Sequence, residues 1–131
     1  MQGQVRLDTG DAGATARRRI DERELAWHEG MAFADLGYPR EALGRFEQSI
    51  WPTASQHMRG RYNHLVHLLG AQAKVGAWSD AEATICQIGT MVGDVASTRT
   101  VALLARILPE FAGEHVPGDI RDAAGQLALL I

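Results

Sequence analysis

The stretch LGYPREALGRF, residues 36–46, recurs in altered form as VGAWSDAEATI, residues 75–85. The offset is 39 residues throughout, so Gly37 aligns with Gly76 and Phe46 aligns with Ile85. In each stretch a glycine is followed by an acidic residue, then a small residue, then a bulky apolar residue one helical turn later. Glycine suits the corner at a helix end, and an acid in the next first turn complements the helix dipole. The pattern predicts two helical hairpins of one design.

Helical periodicity continues on both sides of these hairpins, and no strand pattern competes with it. Apolar residues recur at three-, four- and seven-residue steps, and glycine or proline interrupts the runs. Six helices are predicted, at about residues 18–36, 39–50, 55–75, 79–91, 98–111 and 120–130. They form three antiparallel pairs, which predicts an all-α fold.

The apolar positions also predict which side of each helix faces the core. Cys86 is placed on the inward side of the fourth helix, where a thiol without a neighbouring base serves packing. Gly93 with Asp94 is predicted to end that helix, Ser97 to cap the fifth, and Pro109 to loosen the fifth helix's last turn. The predicted inward stripe of the first helix consists of Leu25, Ala32, Phe33 and Leu36.

Length and composition limit the class of protein. The chain has 131 residues, 46% hydrophobic and 22% charged, which predicts one globular domain at 13–131 behind a flexible arm at 1–12. No apolar run approaches a membrane span, and no secretory signal is recognisable, so a cytoplasmic location is expected. One cysteine excludes an internal disulfide and a multi-cysteine zinc site. A net charge of −3 argues against direct nucleic-acid binding.

The paired helices resemble the tetratricopeptide repeat (TPR), a helical hairpin with recurring aromatic, small and proline positions. Departures are Glu29 in place of leucine, Leu69 in place of glycine, and an offset longer than the usual 34 residues. The third pair rests on helical period alone. Matching residues are Trp27, Gly30, Phe33, Ala42, Phe46 and Pro52 in a first repeat, and Leu65, Leu68, Ala81 and Ile85 in a second.

A narrower resemblance covers about residues 20–131. The second repeat, the segment VASTR at 95–99, an apolar helix and a short proline-led last helix are similar to the carboxy-terminal TPR half of actinobacterial helix-turn-helix regulators. The residues before the first helix are too few for a DNA-binding domain of that kind, so no DNA-binding residues are carried over. The resemblance implies a regulatory role.

The TPR resemblance implies a stack of about three helix pairs with a concave groove lined by the first helix of each pair. Such a groove suits an extended peptide or a partner helix, which implies a non-catalytic interaction module with a protein or peptide partner. The alternative for these positions is an ordinary solvated surface. The groove residues are Trp27, His28, Met31, Asn63, His67, Lys74, Arg99 and Arg106, with Glu24, Asp35 and Gly70 beside them.

Two further possibilities stay open. His64 and His67, with His57 two turns earlier, suggest a small-molecule or metal-binding sensor or enzyme that uses Trp27 or Trp78. However, HExxH, phosphate-loop and nucleophile-elbow motifs are absent, so no metal, cofactor or catalytic residue is expected. The apolar last helix either seals the stack or makes a dimer contact, and a homodimer is the favoured alternative.

Overall fold

A computed structural model of the chain describes residues 22–49, 58–95 and 98–131. In these ranges every regular element is helical and no strand occurs, which confirms the all-α prediction. The predicted arm at 1–12, together with Pro52 and Ser97, lies outside them. The elements are α1 (22–35 within the described chain), α2 (Pro39–Ser49), α3 (Met58–Val75), α4 (Trp78–Val95), α5 (Thr98–Ile107), a 3-10 turn (Leu108–Phe111) and α6 (Gly118–Leu130).

The corners after α1 and α3 have the same backbone geometry. Gly37 and Gly76 both have a left-handed φ, 84° and 73° respectively. Each corner carries the two amide-to-carbonyl hydrogen bonds of a Schellman motif, which satisfies carbonyls at the helix end. The bonds run from Tyr38 to Phe33 and from Gly37 to Ala34, and from Ala77 to Gln72 and from Gly76 to Ala73. The repeat at an offset of 39 residues is therefore confirmed at its corners.

The hairpins pack side by side. The first contacts the second through α2 and α3, and like-placed helices of the second and third meet as α3 with α5 and α4 with α6. Within the first hairpin, the contact is so close that a Cβ on Gly30 would lie 2.6 Å from the Phe46 ring. The 3-10 turn contacts both α5 and α6 and joins the third pair.

The core is centred on α3, which has neighbours on several sides. Its side chains are therefore buried around much of the helix circumference, unlike those of a surface helix. At Gly70 α5 approaches α3 closely, because a Cβ there would lie 3.2 Å from Cδ1 of Ile107. The buried apolar residues of α3 are Tyr62, Leu65, Val66, Leu68, Leu69 and Ala71.

The predicted inward stripe of α1 is wrong. Leu25 and Leu36 are 59% and 69% exposed, and Ala32 is also exposed; only Phe33 is partly buried. The buried residues are Ala26 and Gly30, with Trp27 and Met31 packed partly against the core. The physical reason is the close packing at Gly30, which leaves no room for a Cβ beside the Phe46 ring, so the side of α1 that carries Gly30 faces α2.

Two predictions for α4 are also wrong. Cys86 is exposed, because the buried positions of this helix follow a stripe that passes beside it. The helix runs through Gly93 to Val95, since one glycine costs a helix only about 1 kcal/mol. The buried stripe consists of Ala81, Thr84, Ile85, Ile88 and Met91.

The end of α5 agrees with its prediction. The α-helix stops at Ile107, and Pro109 lies in the 3-10 turn that follows. Proline cannot donate the backbone hydrogen bond that would continue the helix, which explains the tighter turn. None of the helices in the described ranges combines the length and apolarity needed to cross a lipid bilayer.

Candidate functional site

An aromatic cluster lies where α1, α2 and α3 meet, and we call it the Trp27 cluster (Trp27, Phe46, His64 and His67). The indole of Trp27 stacks on the imidazole of His64, with ring centres 4.1 Å apart and planes inclined by 17°. His67 meets the indole edge-on at 5.0 Å, and Phe46 lies 5.3 Å from it. Trp27 and both histidines are half-buried. The cluster joins the first hairpin to the second.

Burial makes both histidines of the cluster weak bases. The pKa of His64 falls from 6.5 to about 4, first because burial disfavours the charged imidazolium and second because His67 is close. A hydrogen bond to the Ser49 backbone opposes this shift. Burial also lowers the pKa of His67, and the Asp35 carboxylate partly offsets that effect. At neutral pH both rings are therefore uncharged, and His67 is not a cation for a carboxylate ligand.

The remaining groove residues on α1 and α3 have different environments. His28 is exposed, whereas Met31 packs partly against the core and Asn63 is half-buried. Lys74 is exposed but forms an ion pair with Glu110 of the 3-10 turn, at 2.7 Å between Nζ and Oε1. This ion pair ties the end of α3 to the third hairpin, so the Lys74 ammonium has a partner within the chain.

The two groove arginines lie on α5. Arg99 and Arg106 are both exposed, and they are two helical turns apart on the same helix. The structure therefore brings Trp27 and His67 together. The two exposed arginines lie on α5, the first helix of the third hairpin. Glu110, which accepts the Lys74 ion pair, carried no signal in the sequence because its partner is 36 positions away.

The structure also contains a cleft that sequence analysis missed, between α5, the 3-10 turn and α6. We call it the end cleft; its volume is about 580 Å³. Its lining is largely apolar, and Arg121 is its only charged residue. The only sign of this cleft in the sequence was the presence of small residues four positions apart on α6. That spacing indicates a cleft only when the facing helix is known. The lining residues are Ala105, Leu108, Pro109, Phe111, Ala112, Arg121, Ala124, Gly125, Ala128 and Ile131.

The sequence suggested an alternative site in which His64 and His67 act with Trp27 or Trp78. The structure places the two tryptophans in separate clusters. Trp78 lies away from the Trp27 cluster and packs against Phe111 and His115, each at 5.8 Å between ring centres. In the described ranges no group of three or more histidine, cysteine, aspartate and glutamate residues is placed to hold a metal ion. His57 lies outside those ranges.

Comparison with known proteins gives no match, whether with family models, curated proteins or solved structures. Three local features of the molecule bear on its function. These are the repeated hairpin corners, the Trp27 cluster and the exposed groups on α1, α3 and α5.

Proposed function

We propose that this chain is a non-catalytic, TPR-like interaction module. Its partner is a protein or peptide bound across the face of α1, α3 and α5, and its role is regulatory. The observation that carries the proposal is the repeated Schellman corner at Gly37 and Gly76, because a repeated hairpin design produces stacked helices with one shared face. A cytoplasmic location and self-association are part of the same proposal.

The chemistry of this face suits a partner with apolar and acidic groups. The half-buried Trp27 and Met31 offer apolar contact area at one end, and Arg99 and Arg106 offer positive charge at the other. Arginine pairs with carboxylates in a two-pronged geometry, so these two positions favour an acidic segment. The neutral histidines of the Trp27 cluster support the indole and do not supply charge.

The test is affinity isolation of partners from the source cells with quantitative mass spectrometry. Arg99→Glu with Arg106→Glu reverses the charge of exposed positions. The double variant should reduce recovery of a specific partner at least about tenfold, as expected when charge pairs that the bound partner buries are lost. The matched control is Arg40→Glu, an exposed arginine on α2. Equal recovery by the double variant and the wild-type chain would show that this face does not bind the partner.

A second candidate is a small-molecule or metal-binding sensor at His64 and His67. One observation favours it: both imidazoles are uncharged at neutral pH, which is the state that binds a metal ion. Calorimetric titration with Zn²⁺ tests the metal arm. A binding heat that disappears in His67→Ala and persists in His115→Ala, at an exposed histidine of the third hairpin, would favour this candidate over the interaction module.

A further inference from the structure

The first hairpin, α1 with α2, meets the rest of the stack mainly at α3, through α2 and through the ring contacts of Trp27. Its buried apolar residues in the described ranges are Ala26, Ala42 and Phe46, of which only Phe46 is large. Stacked hairpins are held by their own contacts and by those with their neighbours. Units with little buried apolar surface open at the lowest free energy. The first hairpin is therefore expected to open more easily than the other two.

The second and third hairpins hold each other at more points. Contacts join α3 with α5 and α4 with α6. Trp78 at the start of α4 packs against Phe111, and Lys74 at the end of α3 pairs with Glu110. The third hairpin also buries more large apolar side chains than the first, among them Phe111 and Leu127. These two hairpins can therefore stay packed when the first one moves.

The contact between the first hairpin and α3 contains two ionisable rings. Trp27 of α1 covers one face of the His64 imidazole, with 4.1 Å between ring centres, and the Ser49 backbone at the end of α2 hydrogen-bonds to the same ring. His67 meets the edge of the Trp27 ring at 5.0 Å, and the Asp35 carboxylate of α1 acts on it electrostatically. Much of what surrounds the two imidazoles therefore belongs to the first hairpin.

Contact with the first hairpin disfavours a proton on either ring. Burial lowers the pKa of both imidazoles, and the nearby His67 lowers the pKa of His64 further, to about 4. The Ser49 backbone opposes the shift of His64, and the Asp35 carboxylate opposes that of His67. When the hairpin leaves, water reaches both rings and their pKa values return toward 6.5. Acid therefore shifts the equilibrium toward release, because the released state binds protons more tightly.

From this geometry we propose that the first hairpin detaches from α3 as one unit when the solution is acidified, while the second and third hairpins stay packed on each other. The close packing of Gly30 on Phe46 lies within the first hairpin and moves with it. Asp35 sets how much acid is needed, because its carboxylate attracts the imidazolium of His67 across this contact. Release takes Trp27 away from the proposed partner face. That consequence rests on the proposed function, whereas the release itself requires no partner.

Hydrogen exchange of the full chain alone, measured by mass spectrometry at pH 7.5 and pH 5, tests the proposal. Each rate is divided by the intrinsic amide rate at that pH, so that only the protection by structure is compared. Protection of 22–49 should fall about fivefold more than protection of 98–131, which is the effect of the His64 shift discounted for its partial exposure. An equal fall in both segments, or no fall in 22–49, would overturn the proposal.

Variants assign the release to these groups. His64→Leu should reduce the difference between the two segments to about half or less, since leucine binds no proton. His115→Leu, at an exposed histidine of the third hairpin, is the matched control and should respond like the wild type. Asp35→Asn should enlarge the difference, because His67 then loses the charge that favours its protonated form.

Folding of each variant is verified by circular dichroism at pH 7.5. His64→Gln repeats the test with a polar side chain that binds no proton, which covers the case in which leucine disturbs the stack. A wild-type response in both His64 variants, or a smaller response in Asp35→Asn, would show that these groups do not control the release and would overturn the proposal.

Discussion

At the scale of single residues, backbone conformation at two glycines is the most direct link between sequence and structure. Gly37 and Gly76 adopt a φ that side-chain-bearing residues avoid, and this conformation reverses the chain so that the next helix packs back on the previous one. At Gly37 nothing lies within 4 Å of where a Cβ would stand. The requirement for glycine there is therefore one of backbone conformation, and not of space.

Gly37→Ala should lower the free energy of unfolding by about 1 kcal/mol, because alanine must adopt a left-handed φ. Gly44→Ala is the matched control: Gly44 lies within α2, also without neighbours around a Cβ, and alanine there should raise the free energy of unfolding by up to about 1 kcal/mol. Urea unfolding of both variants gives the comparison. Equal effects at the two positions would contradict a conformational role for Gly37.

The histidines of the Trp27 cluster predict a stability that depends on pH. His64 has a pKa of about 4 when folded and 6.5 when unfolded, so between these values the unfolded chain binds a proton that the folded chain does not. Stability should therefore be complete above pH 6.5 and fall as the pH decreases toward 4. Because His64 is only half-buried, we expect a loss of about 1 kcal/mol by pH 5.

The measurement is the urea midpoint at pH 7.5 and at pH 5. His64→Leu should reduce the difference between the two midpoints, since leucine has no proton to bind. His115→Leu, at an exposed histidine, is the control and should leave the difference as it is in the wild type. An unchanged difference in His64→Leu would show that the cluster is not the origin of the pH dependence.

At the scale of helices, amphipathic pattern identified the helices better than it identified their buried sides. In α3 the leucines predicted to face inward are buried, because neighbouring helices cover much of its circumference. The first helix has apolar residues on two of its sides. The side with the larger side chains, Leu25 and Leu36, is exposed, and the side that carries Gly30 is buried. Periodicity alone does not show which of the two sides is buried, because burial depends on the shape of the partner helix.

The position of Cys86 outside the buried stripe of α4 predicts that its thiol is reactive in the folded protein. Cys86 is exposed, so iodoacetamide should modify it in the native protein at a rate comparable with that in urea. Cys86→Ser should change the free energy of unfolding by less than about 0.5 kcal/mol, whereas Ile85→Ala at the adjacent buried position should cost about 2–4 kcal/mol. Strong protection of the native thiol would contradict this orientation of α4.

At the scale of the whole molecule, stacking of the hairpins leaves two different ends. Leu25 and Leu36 are exposed at the α1 end, whereas the end cleft lies between α5, the 3-10 turn and α6 at the other end. The exposed face of α1, α3 and α5 between these ends is where a partner is proposed to bind.

Much of the helical framework followed from the sequence, and the candidate sites followed only in part. The pairing of Trp27 with His67 was foreseen as a shared face, but the stacking on His64 and the resulting neutral imidazoles were not. Lys74 was expected to be available to a ligand, yet Glu110 pairs with it. These details depend on which residues, far apart in the sequence, come together in the fold. A single sequence does not show those pairs.

The sequence by itself determined the six-helix order and the two glycine corners, because helices and Schellman turns depend on contacts between residues a few positions apart. Only the tertiary structure decided which side of α1 is buried, how strongly His64 is desolvated, and that α5 and α6 enclose a cleft. Burial and charge environment are properties of neighbours in space. Leu25 and Leu36 show this most clearly, since they are apolar in the sequence and exposed in the fold.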